Sequence, residues 1–154
     1  MLPFVDSHET NVGASPDMVW EALRAACPGP RPSVLLRLWA VVWGADPAES
    51  NGLASHVIGA ERPGLVVREV VPPATWAAAG RHRFAAYQVV FRIAPAGVGN
   101  SRLTAETYAT FPGLAGRLYR AVVISLGPHA LVMRLTLWYL RRQAELLRAG
   151  RAHG

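Results

Sequence analysis

Apolar and polar residues alternate along three stretches of the chain, which is the pattern of strands that bury one face. The stretches run from about Phe4 to Val12, from Ala85 to Ile93 and from Leu103 to Phe111. Turn-forming residues at 96–100 separate the last two. Because each of these two has one apolar and one mixed face, we predict that they pair in an antiparallel sheet covered on one side only.

A second hairpin is predicted from the stretches Leu53 to Ala60 and Leu65 to Val71, which are joined by residues 61–64 (Glu-Arg-Pro-Gly). A pair of prolines at 72–73 ends its second strand. The small, alanine-rich residues at 74–80 show no decisive period, so the pattern leaves their structure undetermined.

Two helices are predicted after the first strand. The first begins at residues 15–17 (Ser-Pro-Asp), where a hydroxyl can cap free N–H groups and a carboxylate lies at the positive end of the helix dipole. Residues 27–30 (Cys-Pro-Gly-Pro) stop it, and its buried stripe comprises Val19, Trp20, Leu23 and Ala26. The second, from about Ser33 to Trp43, is apolar nearly all round and must be buried or cover something.

The C-terminal third of the chain has helical spacing throughout. A helix from about Leu114 to Ile124 is followed by a break at residues 127–128 (Gly-Pro) and by a long helix from about His129 to Ala149. The apolar stripe predicted to face the sheet contains Leu131, Leu135, Trp138 and Tyr139. Arginines in the last turns complement the helix dipole, and we favour this role over a binding role for the basic tail.

Composition indicates one domain spanning residues 1–154, because 51% of the 154 residues are apolar and 17% are charged. All 16 basic residues are arginine, so no lysine is present for Schiff-base catalysis or a phosphate-binding P-loop. The single cysteine, Cys27, excludes an intramolecular disulfide. The arginines behind the net charge of +6 are scattered apart from the pair at 141–142, so we expect no nucleic-acid partner.

No secretory signal is recognisable at the first residues, and the longest apolar stretch, residues 34–43, falls far short of the roughly 20 residues that span a bilayer. We therefore expect a cytoplasmic monomer or homodimer without membrane insertion. The histidines share no metal-ligand spacing with one another or with the acids, so neither a metal nor a cofactor is expected.

Residues 12–23 (VGASPDMVWEAL) resemble the opening signature of the START and polyketide-cyclase-like (SRPBCC) superfamily, in which a small-residue turn with proline and a Val-Trp pair follow the first strand. Residues 101–107, 119–120 and 137–145 resemble an actinobacterial branch whose members are mostly of unassigned function. The resemblance extends over nearly the whole chain. It implies an α+β helix-grip fold, in which a curved antiparallel sheet wraps around a long C-terminal helix and two short helices follow the first strand.

The resemblance also implies an apolar cavity between the sheet and the last helix, with the second helix as part of its lid. The faces that would meet there supply the predicted ligand-binding residues, although the pattern does not decide between a cavity and a filled core. These residues are Tyr87, Val89, Phe91, Ala105, Thr107, Leu131, Leu135 and Trp138, with Trp39 from the lid.

Asp6 and His8 are the first candidate catalytic pair. If Val12 faces inward, both lie on that same face of the first strand, roughly 6.5 Å apart along it. A carboxylate and an imidazole at this spacing can share a water molecule or flank a carbonyl, as general acid–base chemistry requires. The alternative, which the pattern favours, is a solvated end of the strand.

Glu69 and Tyr87 are further candidates. One alternating set of residues 65–71 turns Glu69 inward as a base or a partner for a ligand hydroxyl, whereas the other set turns Arg68 inward, and the pattern does not choose between them. Tyr87 lies on an apolar face, so its hydroxyl needs either a polar ligand atom or a backbone carbonyl.

Two hypotheses about function follow. The first is binding of a small hydrophobic ligand, of lipid, polyketide or other secondary-metabolite type, in the cavity. The alternative is an enzyme of the polyketide cyclase or dehydratase kind that uses carboxylate, imidazole and phenol groups there. An interaction module using the arginine-rich terminal helix is a third possibility.

Overall fold

The structure, a computed structural model, describes residues 2–26, 38, 41–54, 56–125 and 127–152. Six antiparallel strands form one sheet in the order β1-β6-β5-β4-β3-β2. The strands are β1 (Phe4–Val12), β2 (Glu61–Arg62), β3 (Leu65–Val71), β4 (Thr75–His82), β5 (Ala85–Pro95) and β6 (Ser101–Thr110). The helices are α1 (Pro16–Ala26), α2 (Gly113–Arg120), which continues into a π-helical turn (Ala121–Ser125), and α3 (Pro128–Ala152). This is the α+β architecture that the resemblance implies.

The main core lies between one face of the sheet and the helices α1 and α3. Strict alternation along β6 buries Leu103 and Ala105, and their neighbours across the β5–β6 ladder, Ile93 and Phe91, are buried as well. From the helices, this core receives Val19, Trp20, Leu23, Met133, Leu137, Leu140 and Ala144. The predicted stripe of α1 is therefore confirmed except at Ala26, which is exposed, and Ala22 is buried as well.

The long helix α3 buries a different stripe from the predicted one. Its buried residues are Met133, Leu137, Leu140 and Ala144. The predicted stripe is turned away from the sheet, with Leu131, Leu135 and Trp138 respectively 60%, 55% and 59% exposed. Because successive residues are about 100° apart around a helix, Leu135 and Leu137 point to nearly opposite sides. Both sides of α3 are apolar, so periodicity could not select the side that packs.

Two β-bulges change the faces that strict alternation predicts. In β1, the register shifts between Phe4 and Asp6, and the ring of Phe4 meets that of Tyr108 edge-on at 5.7 Å, away from the Asp6 face. In β3, the register shifts between Val67 and Glu69. As a result, Val67 is buried and Val70 packs against the core, while Glu69 is exposed. Neither alternating set proposed for residues 65–71 is therefore correct along its whole length.

The middle of the chain differs most from the prediction. The described residues between Leu53 and Ala60 form turns and no strand, and the two-residue strand β2 pairs with β3 instead. The buried guanidinium of Arg62 donates to Ser50 Oγ at 3.0 Å and to the Leu53 carbonyl at 2.6 Å, which holds this loop in place. Residues 75–82, which the pattern left undetermined, form the full strand β4.

The predicted second helix, Ser33 to Trp43, lies largely outside the described residues, as do Trp39 and residues 27–30. Leu38 and residues 41–43 are helical. Among the residues described, no single helix is long and apolar enough to cross a membrane. Within those residues, one bent pair of helices, α2 with its π-helical turn and α3, has the length and composition of a span.

Candidate functional site

A cavity of about 480 Å³ lies between the inner face of β5 and β6 and the helical segment that runs from Tyr119 into α3. Small side chains in the strands, such as Ala85 and Ala109, leave this space unfilled. The volume falls within the usual range for small-molecule sites, roughly 300–1,000 Å³. Most of the wall is apolar, and its polar members are His82, Tyr87, Thr107, Tyr119 and His129.

Three of the predicted ligand-binding residues, Tyr87, Val89 and Thr107, line this cavity. Phe91 and Ala105 come next on the same faces of β5 and β6 but are buried in the main core. The predicted inward placement of Leu131, Leu135 and Trp138 is wrong, because all three lie on the exposed side of α3. Neighbouring positions on that helix, His129, Val132 and Met133, reach the cavity in their place. Trp39 lies outside the described residues.

Asp6 and His8 share the inner side of β1, as predicted, and are in contact. His8 Nε2 lies 3.2 Å from Asp6 Oδ2, and both side chains are largely buried, so the expectation of a solvated strand end is wrong. The other carboxylate oxygen, Oδ1, faces a second imidazole, with His129 Nε2 at 3.4 Å. His129 Nε2 is also 3.0 Å from Thr107 Oγ1. The result is a polar chain, His8–Asp6–His129–Thr107, whose last two members line the cavity.

The spacing of His129 in the sequence argues against a metal ligand and gives no sign of this contact with Asp6. Asp6 and His129 come from opposite ends of the chain, and they meet because β1 pairs with β6 at Asp6↔Thr107 while α3 begins beside that pair. In the described part of the chain, no group of three or more His, Cys, Asp or Glu residues could hold a metal ion. Glu69, the third candidate catalytic residue, is exposed and does not line the cavity.

The other end of the cavity is bordered by an aromatic cluster. The imidazole of His82 meets the ring of Tyr119 edge-on at 5.0 Å, and Tyr119 stacks on Phe84 at 5.7 Å. Trp43 contacts all three of these rings. Burial lowers the pKa of His82 and raises the pKa of Tyr119, so both rings are held in their neutral forms near pH 7. This end therefore offers ring faces and edges without charge.

Tyr87 is held by the backbone. Its hydroxyl donates to the Gly64 carbonyl at 2.6 Å. Of the two partners that the sequence predicts, a polar ligand atom or a backbone carbonyl, the structure therefore shows the carbonyl. Burial, and secondarily the neighbouring Tyr119, raise the pKa of Tyr87 to about 12. The phenol therefore stays protonated and is a fixed part of the wall.

The free energy of unfolding at alkaline pH tests this arrangement. The unfolded chain loses the Tyr87 proton near pH 10, whereas the folded chain keeps it up to about 12. The stabilisation that comes from the protonated Tyr87 hydroxyl is therefore fully present below pH 10 and is lost as the pH rises through 12. Tyr87→Phe is expected to cost about 1 kcal/mol at pH 7, where it removes the hydrogen bond. Its deficit against the wild type should then shrink between pH 10 and 12, as measured by denaturant unfolding at each pH. A deficit that stays constant over this range would contradict the shifted pKa.

Comparison with known proteins shows the fold. The chain is similar to norcoclaurine synthase from Thalictrum flavum, with a TM-score of 0.55 and 13% identity over 96% of this chain and 99% of that one. It is similar to the ZhuI aromatase/cyclase from Streptomyces sp. R1128, with a TM-score of 0.54 and 17% identity over 91% and 92%. It is also similar to the Mll3558 protein from Rhizobium loti, with a TM-score of 0.54 and 20% identity over 90% of this chain and 94% of that one. No family model matches the chain, and no curated protein matches it significantly in sequence. The structural matches confirm the helix-grip fold that the sequence resemblance implies.

Proposed function

We propose that this protein binds a small, mostly apolar, ring-containing molecule in the cavity between the sheet and α3. The observation that carries this proposal is the cavity itself, about 480 Å³ with an almost entirely apolar and aromatic wall. In the described part of the structure this cavity is open to solvent, so its apolar wall is exposed to water. A mostly apolar ligand removes that surface from water, which is favourable.

The distribution of polar groups defines the ligand further. The rings of His82, Phe111 and Tyr119, which line the cavity, suit the face or edge of another ring. Only a few polar groups line the wall, so the ligand carries few polar atoms. The fold likeness to an aromatase/cyclase and to norcoclaurine synthase supports the same class of ligand.

An enzyme of the cyclase or dehydratase kind is the second candidate. The observation in its favour is that Asp6 and His8, the pair expected to perform acid–base chemistry, are joined to the cavity wall through His129. Glu69 has no part in this candidate, because its side chain is exposed on a different strand.

Filling the cavity tests the binding proposal. Ala109 lines the cavity, whereas the next residue, Thr110, is exposed. Ala109→Leu is expected to weaken binding of 2-naphthol, a two-ring probe with one hydroxyl, by about tenfold or more, the equivalent of roughly 1.4 kcal/mol. Thr110→Leu adds a leucine to the same strand outside the cavity and should leave the affinity unchanged.

Affinity is measured by calorimetric titration, and native mass spectrometry of freshly purified protein shows whether a hydrophobic molecule co-purifies. Equal 2-naphthol affinity in both variants would mean that the probe binds elsewhere. Failure of the wild type to bind any ring compound would refute the proposed function.

A further inference from the structure

The Asp6 carboxylate has an unusual environment. Its Oδ1 atom is buried and accepts no well-formed hydrogen bond among the described residues. The imidazole of His129 faces this oxygen, with its Nε2 atom 3.4 Å away. A buried carboxylate oxygen without a donor is costly, so this contact determines where the imidazole carries its proton.

That requirement selects one tautomer of His129. With the proton on Nε2, the ring donates to Thr107 Oγ1, 3.0 Å away, and the same N–H group lies beside Asp6 Oδ1, 3.4 Å from the nitrogen. The opposite tautomer would place a lone pair against the carboxylate. In the selected tautomer the second nitrogen, Nδ1, carries the lone pair, and no residue of the described chain forms a hydrogen bond with it. The His129 side chain lines the cavity, so a bound molecule can contact its imidazole.

We infer that His129 is a general base for a ligand that carries a weakly acidic C–H group, such as one beside a carbonyl. This inference rests on the proposed function, because it requires a molecule bound in the cavity. The Nδ1 lone pair forms an N–H bond with the departing proton while the C–H bond breaks. The C–H electron pair moves onto the electron-withdrawing group of the ligand. The imidazolium then returns the proton to the ligand or to water, so nothing is oxidised or reduced.

Asp6 acts here as a positioning residue. Its carboxylate selects the tautomer and lies where it stabilises the positive charge that forms on His129. His8 contacts Oδ2 of the same carboxylate at 3.2 Å and so fixes its orientation. Thr107 contacts His129 from β6 and limits rotation of the ring.

The test uses 5-nitrobenzisoxazole, an apolar bicyclic compound that reports on a base in a cavity without knowledge of the natural ligand. Removal of its C3 proton breaks the N–O bond and releases a coloured cyanophenolate, with no other reactant. The wild-type chain should show saturable turnover. His129→Gln should lower kcat by about 100-fold or more, the usual contribution of a general base, with KM changed little. Asp6→Asn should lower kcat by a smaller factor, because the amide removes the charge but keeps the shape.

Three controls separate chemistry from folding. His56→Gln removes an exposed imidazole outside the cavity and should leave kcat unchanged. His129→Ala should regain turnover when free imidazole is added, which a variant that had merely lost its structure would not do. Binding of 2-naphthol to His129→Gln shows directly that the cavity is intact.

The outcomes distinguish this inference from the proposed function. If the wild type binds 2-naphthol but turns over 5-nitrobenzisoxazole no faster than His129→Gln does, His129 is not a base and the binding proposal stands. If imidazole fails to rescue His129→Ala while that variant still binds 2-naphthol, the inference is likewise overturned. If neither compound binds, both proposals fall.

Discussion

Leu140→Ala is expected to lower the free energy of unfolding by about 2–5 kcal/mol, the usual cost of emptying a leucine site in a core. The side chain of Leu140 is only 1% exposed and belongs to the core between α3 and the sheet. Leu135→Ala makes the same chemical change on the same helix, at a side chain that is 55% exposed. It should cost less than about 0.5 kcal/mol, as surface substitutions usually do.

This pair of variants measures which side of α3 packs against the sheet. Denaturant unfolding followed by circular dichroism gives both free energies, and alanine in both variants cancels the difference in helix propensity. A larger loss from Leu135→Ala than from Leu140→Ala would contradict this orientation of the helix. It would show that the side predicted from the sequence, with Leu131, Leu135 and Trp138, packs against the sheet.

Gly80→Ala is expected to destabilise the protein by about 3 kcal/mol, near the upper end of the cost of overpacking. Gly80 lies in β4, where an added Cβ would approach the Gly64 carbonyl oxygen to 1.7 Å. That carbonyl cannot move aside freely. It accepts the Tyr87 hydroxyl at 2.6 Å, and the Gly64 N–H donates to the Pro47 carbonyl at 2.7 Å.

Gly150→Ala is the matched control. Gly150 lies in the exposed end of α3, and an added Cβ there meets nothing within 4 Å. Alanine in a helix interior is favoured over glycine, so this variant should gain about 0.5 kcal/mol or lose nothing. Thermal and denaturant unfolding of both variants, with 2-naphthol affinity as a second readout, test the close approach. Unchanged stability of Gly80→Ala would mean that β4 and the turn between β2 and β3 are farther apart at this point.

The strands with strict alternation were predictable because a single local rule governs them. The two stretches became β5 and β6, and the expected apolar face of β6 is buried. In β5, Phe91 and Ile93 on that face are buried, whereas Tyr87 and Val89 are half-buried. Residues 74–80 were not predictable in this way. Alanine has little preference for strands, and β4 exists because its neighbours β3 and β5 supply hydrogen bonds along both edges.

The candidate site was predictable in part. Asp6 and His8 were identified because one strand carries them on one face, and they are in contact. Glu69 was misplaced because a bulge is a departure from alternation that residue types alone do not reveal. His129 was missed because its partner lies more than a hundred residues away, and only the pairing of β1 with β6 brings the two together.

The sequence by itself determined the order of most strands and helices and the helix-grip resemblance, since these depend on local periodicity, turns and caps. It also excluded catalysis by a lysine amine, because the chain contains no lysine. The tertiary structure alone decided which side of α3 faces the sheet and which polar groups meet at the cavity. The reason is physical: α3 is apolar on both sides, so its orientation depends on the shape and volume of the sheet that it packs against. The contact of Asp6 with His129 depends on that same packing.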